Sequence, residues 1–259
     1  MVSNDGTGGA SKEFTIMLLL TGTFVLFVLP VFIILRMFSA RVYDAVIIHM
    51  TETWYMDVFH KIGGDVKKRV RNNNNKPYRL LDIGIGTASA LIRRRKDLEI
   101  LKLQVVGVDY NNDYVKAARK SIIEEGLEKQ VQVHCCSIYE AKVVDEMVEN
   151  EGKFDAAYFS GSFSLMPNPI EALHVAAGYV KKGGYIYISQ TFQRRNVPGL
   201  SCIKPLTKYV TTIDFGQLFF EKQLDAVLKE SGYKIIENTK IPGSVDNSFQ
   251  VAKSIVLQV

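Results

Sequence analysis

Residues 78–90, Tyr-Arg-Leu-Leu-Asp-Ile-Gly-Ile-Gly-Thr-Ala-Ser-Ala, constrain this chain more than any other stretch. Leu80, Leu81 and Ile83 around Asp82 predict a short buried strand. Gly84 and Gly86 follow at once, and Thr87 to Leu98 predict a helix. A strand that turns tightly into a helix leaves the helix N-terminus, with unpaired N–H groups and a positive dipole end, beside an open crevice. Glycine there lets a ligand approach the backbone and permits φ > 0. Such a crevice suits a nucleotide.

Two details bear on which nucleotide. The dinucleotide fingerprint asks for a third glycine three places after the second, and Ser89 stands there. Asp82, two residues before the first glycine, sits badly beside an anionic pyrophosphate but complements a ligand that carries an ammonium and a sulfonium. Leu103 to Asp109 (LQVVGVD) predicts a second strand ending on an acid, 27 residues beyond Asp82. A carboxylate at that strand end can accept both hydroxyls of a ribose, which fits a nicotinamide cofactor as well as S-adenosylmethionine (SAM).

Asp82-Ile-Gly-Ile-Gly-Thr87 resembles motif I of the class I SAM-dependent methyltransferases, with Thr87 where a third glycine is common. Val180-Lys-Lys-Gly-Gly-Tyr-Ile-Tyr-Ile-Ser189 is similar to that family's Leu-Lys-Pro-Gly-Gly turn, with Lys182 where proline is usual. The resemblance is to its small-molecule, type-11-like members. The resemblance implies SAM as cofactor, held by Asp82, Gly84, Ile85, Gly86, Thr87, Asp109, Tyr110, Ser137 and Ser160. It also departs from the pattern: the family often carries an acid just past the third strand, and here that place falls to Ser137, a weaker acceptor.

Along the chain, residues 1–13 are small and polar. Phe14 to Leu35 is a 22-residue run without a charge, about 33 Å long as a helix against a bilayer core of about 30 Å. A cleaved signal peptide fits less well, because its apolar region is shorter and follows a basic start. Residues 14–38 are therefore expected to form an uncleaved transmembrane helix. Lys12 precedes the run while Arg36, Arg41 and the bases of 61–71 follow it, which orients the remainder toward the cytosol. Three cysteines, Cys135, Cys136 and Cys202, form neither a disulfide framework nor a metal spacing, consistent with a reducing side and no metal.

Ser39 to Ile62 predicts one or two amphipathic helices, and Lys67 to Lys76 (KKRVRNNNNK) a basic, asparagine-rich loop, so that residues 39–76 form a helical lid and linker. Two readings of the helical part stand: a helix packed on the domain, or the lid that closes the site in many small-molecule methyltransferases. As a lid it offers Tyr43, His49 and Tyr55. Phe154 to Ser160 predicts a fourth strand, and the loop beyond it faces the ligand if the crevice is the site. Ser162, Phe163 and Met166 in that loop suggest an apolar or mixed acceptor pocket, core filling being the alternative for Phe163 and Met166. Gln190 to Thr212 is expected to shape the substrate entrance, Phe215 to Glu230 to form an amphipathic helix, and Tyr233–Ile241 and Phe249–Leu257 to pair antiparallel.

The expected architecture is α/β: a Rossmann-like, doubly wound, seven-stranded sheet over residues 77–259 closed by an antiparallel hairpin, plus one N-terminal transmembrane helix. The expected activity is methyl transfer from SAM to a small, hydrophobic or lipid-like acceptor at a membrane. A non-catalytic scaffold of the same fold and an NAD-dependent oxidoreductase are the alternatives. The net charge of +5 is mild and scattered, with no basic stripe interleaved with aromatics, so nucleic acid is not expected as a partner.

Overall fold

The computed structural model describes residues 29–72, 76–196 and 218–259, the side chains of 29–47 excepted, together with single residues at 17, 22 and 26. Seven strands form one sheet: β1 (Tyr78–Ile83), β2 (Leu103–Asp109), β3 (Val131–Cys135), β4 (Phe154–Ser160), β5 (Val180–Gln193), β6 (Lys234–Lys240) and β7 (Gln250–Gln258). Their order is β3-β2-β1-β4-β5-β7-β6. The first five are parallel, and β7 runs antiparallel to both β5 and β6. The central strands β1, β2 and β4 are buried along almost their whole length because helices cover both of their faces. The expected sheet and closing hairpin are present.

The helices are α1 (Leu29–Arg71), α2 (Ser89–Arg93), α3 (Arg95–Ile100), α4 (Asn112–Glu124), α5 (Lys142–Glu151), α6 (Pro169–Tyr179) and α7 (Glu221–Ser231). One core lies between the sheet and α1 to α4, built on Val58, Ile62, Leu80, Leu91, Leu98, Val105 and Val115. The other lies under α5, α6 and α7, built on Leu81, Phe154, Phe159, Leu173, Ile188 and Leu224. Leu80 and Leu81 point to opposite faces, as neighbours on a strand must.

The β1→β2→β3 progression goes one way across the sheet and the chain returns to add β4 on the other side of β1. That reversal is a topological switch point, where the strand-end loops part and leave a crevice. Asp82 pairs in register with Gly107 and Ile83 with Val108, so Asp82 and Asp109 lie at the same edge of neighbouring strands.

Four sequence expectations are corrected. The predicted helix over 87–98 is two short ones, α2 and α3, broken at Arg94, where Asp97 pairs with Arg94 at 2.6 Å and opens the second. Residues 67–71 are helix, not loop: α1 runs unbroken to Arg71, because Arg69 pairs with Asp65 one turn back and with buried Asp155 at 2.8 Å, and lies 4.6 Å over the Tyr78 ring. The same helix crosses the expected boundary at residue 38. Finally, the Gly-Gly segment is a bulge within β5 rather than a turn before it. Among the described residues no helix is long and apolar enough to cross a membrane. Most of the 14–35 run lies outside the described residues, as do 197–217, which hold most of the expected entrance segment.

Candidate active site

β1 delivers the chain into a loop of three left-handed residues, Gly84 (φ 76°), Gly86 (φ 61°) and Ala88 (φ 56°). Gly84 is needed twice over: besides its φ, an added Cβ would come within 2.4 Å of the Ser162 Cβ. At Gly86 an added Cβ would meet nothing within 4 Å, so the backbone here borders open space. Ile85 turns inward over Gly107, whose missing side chain makes room for it. Thr87 Oγ1 and Ser89 Oγ pair at 2.9 Å. Because α2 is only five residues long, its dipole adds little here.

Asp109 shapes the loop from the neighbouring strand. Its Oδ2 accepts the Gly86 N–H at 2.9 Å and its Oδ1 accepts the Asn111 N–H at 2.8 Å. Burial pushes its carboxyl up, and those two amide bonds pull against the shift. Each oxygen retains a second lone pair for a ligand.

Asp82 is wholly buried. Its Oδ2 accepts the Tyr55 hydroxyl of α1 at 2.5 Å, while its Oδ1 is buried with no hydrogen-bond partner among the described residues. Burial pushes the Asp82 carboxyl up to about 7; the Tyr55 bond lowers it and the Asp109 charge raises it. A buried acceptor without a donor is a costly feature that a cationic ligand would relieve.

The remaining expected residues divide. Tyr110, 68% exposed, and Ser137, also exposed, stand at the same edge, where Ser137 accepts the Tyr139 N–H at 3.4 Å. Ser160 ends β4, in register with Ser189. Ser162 and Phe163 are corrections: the Ser162 hydroxyl donates to the Ile83 carbonyl, and Phe163 is fully buried, edge-on to Phe159 at 5.4 Å. Both brace the strand ends instead of lining an acceptor pocket. Met166 is half-buried against the second core. His49 is exposed on α1, two turns from the Tyr55–Asp82 contact. The Tyr43 side chain lies outside the described residues.

Sequence reasoning missed the pairing of Gln190 Nε2 with Ser164 Oγ at 3.1 Å, although two glutamines near a strand's C-terminal end (SQTFQ) were a visible signal. It also missed how α1 is pinned: the Trp54 ring lies on Gly161, and its Nε1 donates to Ser244 Oγ at 3.0 Å. A surface cavity of about 440 Å³ beside Leu228, Gly232 and Tyr233 opens at the opposite edge, where β6 begins, and has no part in this site. Among the described residues no cluster of side chains could hold a metal.

The residues present fit SAM: a buried carboxylate oxygen without a donor among the described residues, an acid at the next strand end and an open glycine loop between them. Comparison with known proteins agrees. A family model described as "Methyltransferase domain" matches residues 74–237. A phosphatidylethanolamine N-methyltransferase of Cereibacter sphaeroides is 24% identical over 189 residues, covering 72% of this chain and 86% of that protein. Solved folds are similar too. A putative sarcosine dimethylglycine methyltransferase from Galdieria sulphuraria has a TM-score of 0.55 at 11% identity, over 78% of this chain and 85% of that one. The (4+2)-cyclase SpnF has a TM-score of 0.55 at 17% identity, over 70% of this chain and 75% of that one. Such distant likenesses speak for the fold alone. The matched stretch spans the glycine loop, both strand-end acids and the Gly-Gly bulge, and replaces the oxidoreductase and scaffold alternatives: the chain belongs to the methyltransferase-domain family and is a SAM-dependent methyltransferase.

Proposed function

We propose that this enzyme methylates a small amphiphilic or lipid-like acceptor at a membrane surface. The observation that carries the cofactor half is the pair of strand-end carboxylates flanking the open glycine loop. Asp82 would take the cofactor's ammonium on Oδ1, Asp109 its ribose hydroxyls, and Tyr110 and Ser137 would border its adenine. SAM supplies a methyl group on a cationic sulfur, so the charge is lost as the methyl moves. A dry, positioned site therefore favours the reaction, and positioning supplies much of the barrier reduction. The chain's residues orient and desolvate.

The acceptor class rests on two supports. The Cereibacter relative is named for phosphatidylethanolamine, an amine-bearing lipid. Residues 14–35 form an uncharged run, within which Met17 and Leu26 are exposed. We read that run as a single-pass anchor holding the domain on the cytosolic face. The test is transfer of label from SAM in the presence of phosphatidylethanolamine vesicles and membrane extract. Label in the lipid phase supports the reading, and label confined to protein or RNA contradicts it.

A further inference from the structure

We propose that Tyr55 is a positioning residue for the cofactor: it holds one oxygen of Asp82 so that the other is turned, and left available, to the cofactor's cationic end. The inference rests on the assignment of Asp82 to that end. The Tyr55 hydroxyl reaches Oδ2 at 2.5 Å, and Oδ1 is buried without a partner among the described residues. The tyrosine itself has little freedom. Its ring is edge-on to Tyr158 at 5.2 Å, tilted against Phe59 at 5.7 Å, and buried. The hydroxyl is thereby fixed by the core of α1, not by solvent.

The chemistry follows from what a buried carboxylate does when left alone. Without a donor it keeps its proton, and a neutral acid attracts an ammonium far less than a carboxylate does. Tyr55 opposes that loss. Among the described residues, three titratable groups face Asp82. From α1 comes Tyr55; from β4 comes Tyr158, whose phenol burial pushes far up and keeps neutral; from the end of β2 comes Asp109, which works against ionisation. Asp57, farther along α1, is paired with Lys61 at 3.0 Å, and Arg93 of α2 with Glu52 at 3.5 Å. At Asp82 the tyrosine's hydrogen bond favours the charged form, against burial and the Asp109 charge.

SAM affinity measured by calorimetry from pH 5.5 to 9 tests this. Wild type is expected to give a bell: an acidic limb near pH 7 from Asp82 and an alkaline limb near about 8 from the cofactor's own amine. Loss of a hydrogen bond to a charged group moves such a limb by about one to two pH units. Tyr55→Phe should therefore move the acidic limb up by at least about one unit, weaken binding about tenfold at pH 6.5, and leave the alkaline limb in place. Tyr158→Phe, which removes a neighbouring phenol that does not bond Asp82, should leave the acidic limb where it is. An affinity loss equal at every pH in Tyr55→Phe, or an acidic limb that moves as far in Tyr158→Phe, overturns the proposal. Asp82→Asn separates the two claims. Weak binding without an acidic limb supports the Asp82 assignment whatever Tyr55 does, and wild-type binding in Asp82→Asn refutes that assignment.

Discussion

A carboxylate as deeply buried as Asp82 costs the fold stability wherever it must ionise. Its folded-state value of about 7 lies above the unfolded value near 3.9, so the folded state holds the proton more tightly. The contribution is most favourable below about pH 4, is lost as pH rises from there to about 7, and stays lost above; the span is at most about 4 kcal/mol. Asp82→Asn should accordingly stabilise the cofactor-free protein in urea at pH 8 and much less at pH 5. Equal effects at the two pH values would contradict this. The two glycines of the loop offer a second contrast. Gly84→Ala meets the Ser162 Cβ at 2.4 Å, and because that serine is tied to Ile83, it cannot retreat. It should cost more than about 2 kcal/mol of stability. Gly86→Ala meets no neighbour and should cost about 1 kcal/mol for its left-handed backbone, while lowering SAM affinity more than stability, since its methyl enters the open side of the loop. Denaturant midpoints and SAM titrations read both.

Among the elements, α1 ties the two edges of the sheet together. Trp54 and Tyr55 meet the strand C-terminal edge, and Arg69 meets Asp155 and Tyr78 at the other, so the helix runs antiparallel to the first five strands. Asp155 is buried and also receives Lys181 at 2.6 Å and the Arg79 N–H at 2.8 Å. Removing it leaves Arg69 without its buried partner; Asp155→Ala should cost about 3 kcal/mol. It should also speed amide exchange in residues 66–71 without touching the glycine loop; unchanged exchange there would contradict the role given to this contact. These contacts explain why the basic stretch was misread. Lys67 to Arg71 looks like a solvated loop in isolation, but Asp65 one turn back and, distant in sequence, Tyr78 of β1 and Asp155 of β4 hold Arg69 in the helix. β1, β2 and β4 were legible because each is a short, largely apolar run with a glycine or an acid at its end. α5 was not singled out, though Val143, Val144, Met147 and Val148 recur at helical spacing.

At the scale of the molecule, the glycine loop, Asp109 and the closing hairpin were readable from sequence because each is a local pattern with one physical use. What stayed hidden was pairwise: that Tyr55 finds Asp82 and that Ser162 serves Ile83. Sequence places residues on elements, but a contact 27 or 79 residues apart depends on how the helices pack across the sheet. The sheet order then brings two acids from neighbouring strands to one crevice, and that juxtaposition is the central claim. Calorimetric titration of SAM into wild type and Asp109→Ala, each checked for folding by circular dichroism, tests it most directly. Micromolar binding is expected for the wild type and at least a tenfold loss, about 1.4 kcal/mol, for the variant. Equal affinity in two folded proteins would contradict it.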